Sequence, residues 1–115
     1  MKNLMLCFIF FGLTQTALAS GYSACVAFGN ALGRDNGLFT GGPEADCVDA
    51  TSQFSACVAK YKEIAGGRVL MGLDPDSGAF FHCKAARKNF SQCMQAHKKA
   101  NPSWDETSAF FYFCR

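Results

Sequence analysis

Charge is scarce in this sequence, and what there is nearly cancels: 11 Lys and Arg stand against 9 Asp and Glu. A global basic field able to gather nucleic acid or anionic lipid is therefore excluded. Catalytic signatures are missing too. There is no Gly-x-Ser-x-Gly elbow and no glycine-rich phosphate loop, so neither nucleophilic hydrolysis nor nucleotide chemistry finds a starting point. Closely spaced metal ligands are also lacking. The nearest cysteines are ten positions apart, against the two to four residues between ligands of structural zinc sites, and His82 and His97 have no partner carboxylate at helical spacing. The expectation is a protein without catalytic residues, metal or cofactor. Past the N-terminus no run is apolar and long enough to span a bilayer. Strand-like alternation of apolar and polar residues is absent as well, which leaves an all-α fold.

The N-terminus has the composition of a secretory signal peptide. Lys2 gives a positive start, Leu4 to Leu13 form an apolar run, and Ala17-Leu18-Ala19 is a cleavage sequence ahead of Ser20. The run falls well short of the roughly 20 residues that cross a bilayer. The expected organisation is a leader at 1–19 followed by a single disulfide-rich helical domain at 20–115. Cleavage also removes Cys7 and turns an odd count of seven cysteines into six, the even number a disulfide framework needs. Secretion, to the medium or to a periplasm, is the expected fate.

Those six cysteines, Cys25, Cys47, Cys57, Cys83, Cys93 and Cys114, have near-mirror-symmetric gaps. A chain folding back at its midpoint would set Cys57 beside Cys83, Cys47 beside Cys93 and Cys25 beside Cys114. This nested ladder is one of 15 possible pairings, and spacing alone leaves the others open.

Helical signals organise the chain. Tyr22 to Leu32 reads as a short helix closed by Gly33. Gly42-Pro43-Glu44 has the form of a helix start, and apolar residues at 47, 50, 54, 57, 61 and 64 then keep one seam until Gly66-Gly67. Asp74-Pro75 marks a turn, after which a second helix is expected from about Ser77 or Gly78 to Lys99. Its seam is Cys83, Ala86, Phe90, Cys93, His97 and Ala100. Asn101-Pro102 stops it. Ser103 and Glu106 fit a capping box for a last short helix reaching Cys114. Asp46 and Asp49, near a helix start, suit the helix dipole better than acid–base work.

The two long segments repeat one another as Cys-x2-Ala-x3-Phe-Ser-x-Cys, over Cys47 to Cys57 and Cys83 to Cys93. A pair of Cys-x9-Cys helices, each with an aromatic three residues before the second cysteine, resembles the twin Cys-x9-Cys, or coiled-coil-helix-coiled-coil-helix, proteins. The resemblance covers residues 44–100. It implies an antiparallel hairpin bridged by Cys47–Cys93 and Cys57–Cys83, with short flanking helices outside it. Family members mostly serve as assembly factors, subunits or metal carriers in the mitochondrial intermembrane space. A cleavable secretory leader departs from the family, so the resemblance is carried over for the hairpin rather than for the location.

Residues 79–100 hold Lys84, Arg87, Lys88, Lys98 and Lys99 without one acid. Lys84, Arg87, Lys88 and Lys98 are read as a basic row along the second helix, able to dock an acidic partner. Phe110, Phe111, Tyr112 and Phe113 are consecutive, and four neighbours on a helix span about 300°, so they cannot all face one core. Phe110, Phe111 and Phe113 are the aromatic candidates for partner contact. Asn89-Phe90-Ser91 is a glycosylation sequon. The functional expectation is a secreted, non-catalytic binding protein for an unidentified protein or surface. The alternatives are an extracellular carrier of small apolar ligands and an intermembrane-space assembly factor.

Overall fold

The structure is a computed structural model that describes residues 21–33, 42–103 and 105–115. Residues 1–20, 34–41 and 104, with the expected leader and Cys7 among them, lie outside the described residues. The fold is all-α. Helix α1 spans residues 21–32. It is followed by α2 (Pro43–Asp46), α3 (Phe54–Ala65), α4 (Pro75–Cys83) and α5 (Phe90–Ala100). The last helix, α6 (Glu106–Ala109), continues into a π-helical turn at Phe110–Cys114.

Neither long helix expected from the seam is continuous. The first is interrupted between Asp46 and Phe54, and the second between Cys83 and Phe90. The reason lies in contacts between the two breaks. Thr51 Oγ1 donates to the Ala86 carbonyl at 2.8 Å. Gln53 Oε1 accepts from the Ser91 N–H at 3.1 Å and from the Ser91 hydroxyl at 2.6 Å. Side chains of the first break therefore satisfy the Ala86 carbonyl in the second break and the Ser91 N–H in the first turn of α5. Ala86 is buried although it lies in a turn, so apolar spacing persists where the helix does not.

The disulfides join consecutive cysteines: Cys25–Cys47, Cys57–Cys83 and Cys93–Cys114. The central pair agrees with the nested ladder. The pairs Cys25–Cys114 and Cys47–Cys93 do not form, and with them goes the doubly bridged hairpin implied by the twin Cys-x9-Cys resemblance. What forms is a row of three helical hairpins, α1 with α2, α3 with α4, and α5 with α6. Each is tied by one bridge from the first turns of its leading helix to the end of its returning helix. The Cα atoms of the bridged residues are 5.5–5.8 Å apart.

This arrangement brings out a third copy of the repeat. Tyr22-Ser-Ala-Cys25-Val-Ala opens α1, and Phe54-Ser-Ala-Cys57-Val-Ala opens α3. Phe90-Ser-Gln-Cys93 opens α5. The returning helices of the second and third hairpins also match, Ala79-Phe80-Phe81-His82-Cys83 against Ala109-Phe110-Phe111-Tyr112-Phe113-Cys114. The latter carries one more residue between the Phe pair and the cysteine. A π-turn is the local device that absorbs one added residue within a helix, and here it does so with the Arg115 N–H bonded to the Phe110 carbonyl at 3.1 Å.

Local chemistry fixes most helix ends. Asp74 caps α4, which starts at Pro75 and not near Ser77: its carboxylate accepts from the Ser77 N–H, and Pro75 occupies the first turn. Asp105 rather than Ser103 caps α6, accepting from Thr107 N–H at 3.1 Å. Gly66 ends α3 in the left-handed conformation, with its N–H on the Lys62 carbonyl. The core contains Phe54, Tyr61, Phe80, Phe90 and Phe110 with the five fully buried cysteines. At Gly78 a Cβ would collide with the Tyr61 ring, so α3 and α4 approach as closely as they do only because that position has no side chain.

Candidate binding surface

Residues that are neighbours in a helix point about 100° apart, so α4 divides its three aromatic residues among different surroundings. Phe80 is in the core, Phe81 is 47% exposed, and His82 is 8% exposed between them and the C-terminal turn. The His82 ring stacks on Tyr61 at 5.4 Å and meets Phe81 and Phe111 edge-on at 5.1 and 5.2 Å. Its Nδ1 has no hydrogen-bond partner among the described residues. Burial, with the Arg115 charge adding to it, lowers the His82 pKa to about 4, so the imidazole is neutral near pH 7. Neutral His82 thus acts as the apolar link between exposed Phe81 and part-buried Phe111. The Tyr61 hydroxyl is likewise buried without a partner, and burial followed by the Asp74 charge raises its pKa.

Cations border this aromatic run. Lys84 Nζ lies 5.6 Å from the Phe81 ring centroid and 3.7 Å from the Asp46 carboxylate. Arg115 Nε donates to the Phe111 carbonyl at 3.3 Å. Arg87 and Lys88 are exposed in the α4–α5 turn. They and Arg115 have no ion-pair partner among the described residues. A second feature is an open groove of about 410 Å³ between α3, α5 and α6. Ala56, Phe90 and Met94 line it together with Lys60, Lys98 and Glu106. Glu106 pairs with Lys60 at 3.1 Å and Lys98 at 3.9 Å. Burial pulls the Lys60 pKa down, but hydrogen bonds and charge from Glu106 and Glu63 outweigh it and the net shift is upward.

The basic row of the sequence is divided by the fold. Lys84, Arg87 and Lys88 sit in a turn rather than on a helix face, while Lys98 lies on α5 and is engaged by Glu106. Phe110 is fully buried against Tyr61 and Phe90 and is core rather than contact surface. Phe111 is part-buried against Tyr61 and His82. Phe113 is 44% exposed and Tyr112 79% exposed. Asn89 is not in mid-helix: it is the exposed residue just before α5, with an outward course for any glycan. Phe81 and Arg115 escape a sequence reading, because the chain brings them together only through His82.

One further grouping crosses the third hairpin. Cys93, His97 and Cys114 each present a ligand-type atom, all within 4.8 Å of one another, although the two sulfurs are bonded together. Spacing hid it, since Cys114 comes from the returning helix; the only local sign is that His97 lies four residues, one helical turn, after Cys93. No family model matches the chain, and comparison with curated proteins and with solved structures likewise gives no match.

Proposed function

We propose that the protein is a secreted, non-catalytic binding module that engages an acidic protein segment through Phe81, Phe111, Lys84, Arg87, Lys88 and Arg115. The observation that carries this reading is the run of ring contacts Phe81–His82–Phe111, flanked by Lys84, which also pairs with Asp46, and by exposed Arg115, which has no ion-pair partner among the described residues. Aromatic and arginine side chains are the groups that dominate protein interfaces. Three disulfides fit an oxidising compartment, and no helix among the described residues is long and apolar enough to cross a membrane. The leader supplies the route there.

The test compares wild type with a Phe81→Ser, Arg87→Glu, Lys88→Glu variant immobilised in the producing organism's extracellular fluid. Proteins retained by wild type and lost by the variant, with unchanged circular dichroism, support the reading; equal capture refutes it. N-terminal sequencing of the native protein should begin at Ser20, whereas an intact Met1 would return the intermembrane-space alternative. The groove between α3 and α5 favours a second reading, carriage of small apolar ligands. Saturable thermal stabilisation by a fatty acid, abolished by Met94→Asp, would favour it over protein binding.

A further inference from the structure

The Cys93–Cys114 bridge differs from the other two in its access to solvent. Cys25, Cys47, Cys57, Cys83 and Cys114 are fully buried, whereas Cys93 is partly exposed. Thiol–disulfide exchange needs a thiolate to reach a sulfur in line with the bond, so this bridge is the one an attacking dithiol can approach from outside. Beside it stands His97, also part-exposed, on the same face of α5 as Cys93 and stacked on Phe113 at 4.6 Å. The stacking restricts the plane of the imidazole. Its ligand nitrogen already lies within 4.8 Å of both sulfurs. Two thiolates and an imidazole form a donor set suited to Zn²⁺, which takes sulfur at about 2.3 Å and nitrogen at about 2.0–2.1 Å. A fourth, tetrahedral position would be left to water. The sulfurs need only part from bonding distance, and the hairpin keeps both helices in place while they do.

We infer that Cys93, His97 and Cys114 form a Zn²⁺ site that opens when their disulfide is reduced, so that metal replaces the covalent tie of the third hairpin. A small dithiol supplies the two electrons: the Cys93–Cys114 bond breaks, the dithiol closes to its own cyclic disulfide, and its two protons pass to the cysteine sulfurs. Binding of Zn²⁺ then displaces those two protons to solvent while a ring nitrogen of His97 donates its lone pair. In an oxidising fluid the site is closed by the disulfide. Where thiols are abundant, Zn²⁺ keeps Cys93 and Cys114 together.

The test uses the untagged mature chain under a graded dithiol treatment. Differential alkylation read by mass spectrometry should show Cys93 and Cys114 freed before any other cysteine. Removal of the dithiol without oxygen, followed by Zn²⁺ titration, should give one ion per chain with close to two protons released near pH 7, and no such binding by the oxidised protein. The His97→Ala variant retains every cysteine. It should bind Zn²⁺ at least about tenfold more weakly, because losing a ligand costs no less than losing a group that merely orients one. Circular dichroism of the oxidised variant checks that its fold is intact. Equal Zn²⁺ affinity in wild type and His97→Ala, no Zn²⁺ uptake by the reduced chain, or earlier opening of Cys57–Cys83 would each overturn the proposal.

Discussion

His82 is the residue whose surroundings contrast most with its chemistry. It is a titratable ring packed as an aromatic one, with Tyr61 on its face and Phe81 and Phe111 at its edges. Its ordinary pKa of 6.5 falls to about 4 in the folded protein. The unfolded chain therefore binds the proton first as pH drops, so the native state loses stability between about 6.5 and about 4, and none of this loss occurs above that window. A His82→Phe variant keeps the stacking and removes the proton site. Denaturation midpoints measured at pH 7 and pH 4.5 should fall less for the variant than for wild type. Parallel pH profiles would mean that His82 is not buried as described. The residue's identity was plain in the sequence, but its neutrality was not, because Tyr61 comes from the facing helix of its hairpin and Phe111 from the third hairpin.

Elements show the same division. Pro43, Gly66 and Asn101 mark helix ends correctly from local chemistry alone, since cap and breaker residues act on their own few neighbours. The breaks at residues 47–53 and 84–89 were not legible. Apolar residues continue through them at helical spacing because Ala50 and Ala86 turn toward the core from non-helical backbone. The second break is held by side chains of the first, through Thr51 on the Ala86 carbonyl and Gln53 on Ser91. Gln53→Ala removes two of these bonds and should destabilise the fold by about 1–2 kcal/mol in chemical denaturation. It should also increase hydrogen exchange at the first turn of α5. A variant as stable as wild type would show that the breaks are set elsewhere. At the C-terminus the four aromatics divide as a helix demands, with Phe110 buried and Tyr112 largely exposed.

At the level of the whole molecule, the three hairpins meet through aromatic contacts that cross between them. Phe28 of the first lies against Phe54 and Phe80 of the second, and Tyr61 of the second meets Phe110 and Phe111 of the third. Each disulfide closes a loop of 21–26 residues, worth about 3 kcal/mol by the loss of unfolded-state freedom. Non-reducing peptide mapping should yield the pairs Cys25–Cys47, Cys57–Cys83 and Cys93–Cys114. A Cys47–Cys93 peptide would instead support the nested ladder. Replacing both Cys57 and Cys83 by alanine should lower stability by roughly that 3 kcal/mol.

The sequence by itself determined that the chain is helical, where several helices start and stop, and that six cysteines lie between residues 25 and 114. These follow from interactions within a turn or two of backbone, or from composition. Only the tertiary structure decided which cysteines bond, which Phe residues are core, and that His97 faces Cys93 and Cys114. The near-mirror spacing fits a single fold-back, yet it fits three successive hairpins equally well. The choice between them rests on contacts between residues far apart in sequence, such as Tyr61 with Phe110, whose geometry no local pattern encodes.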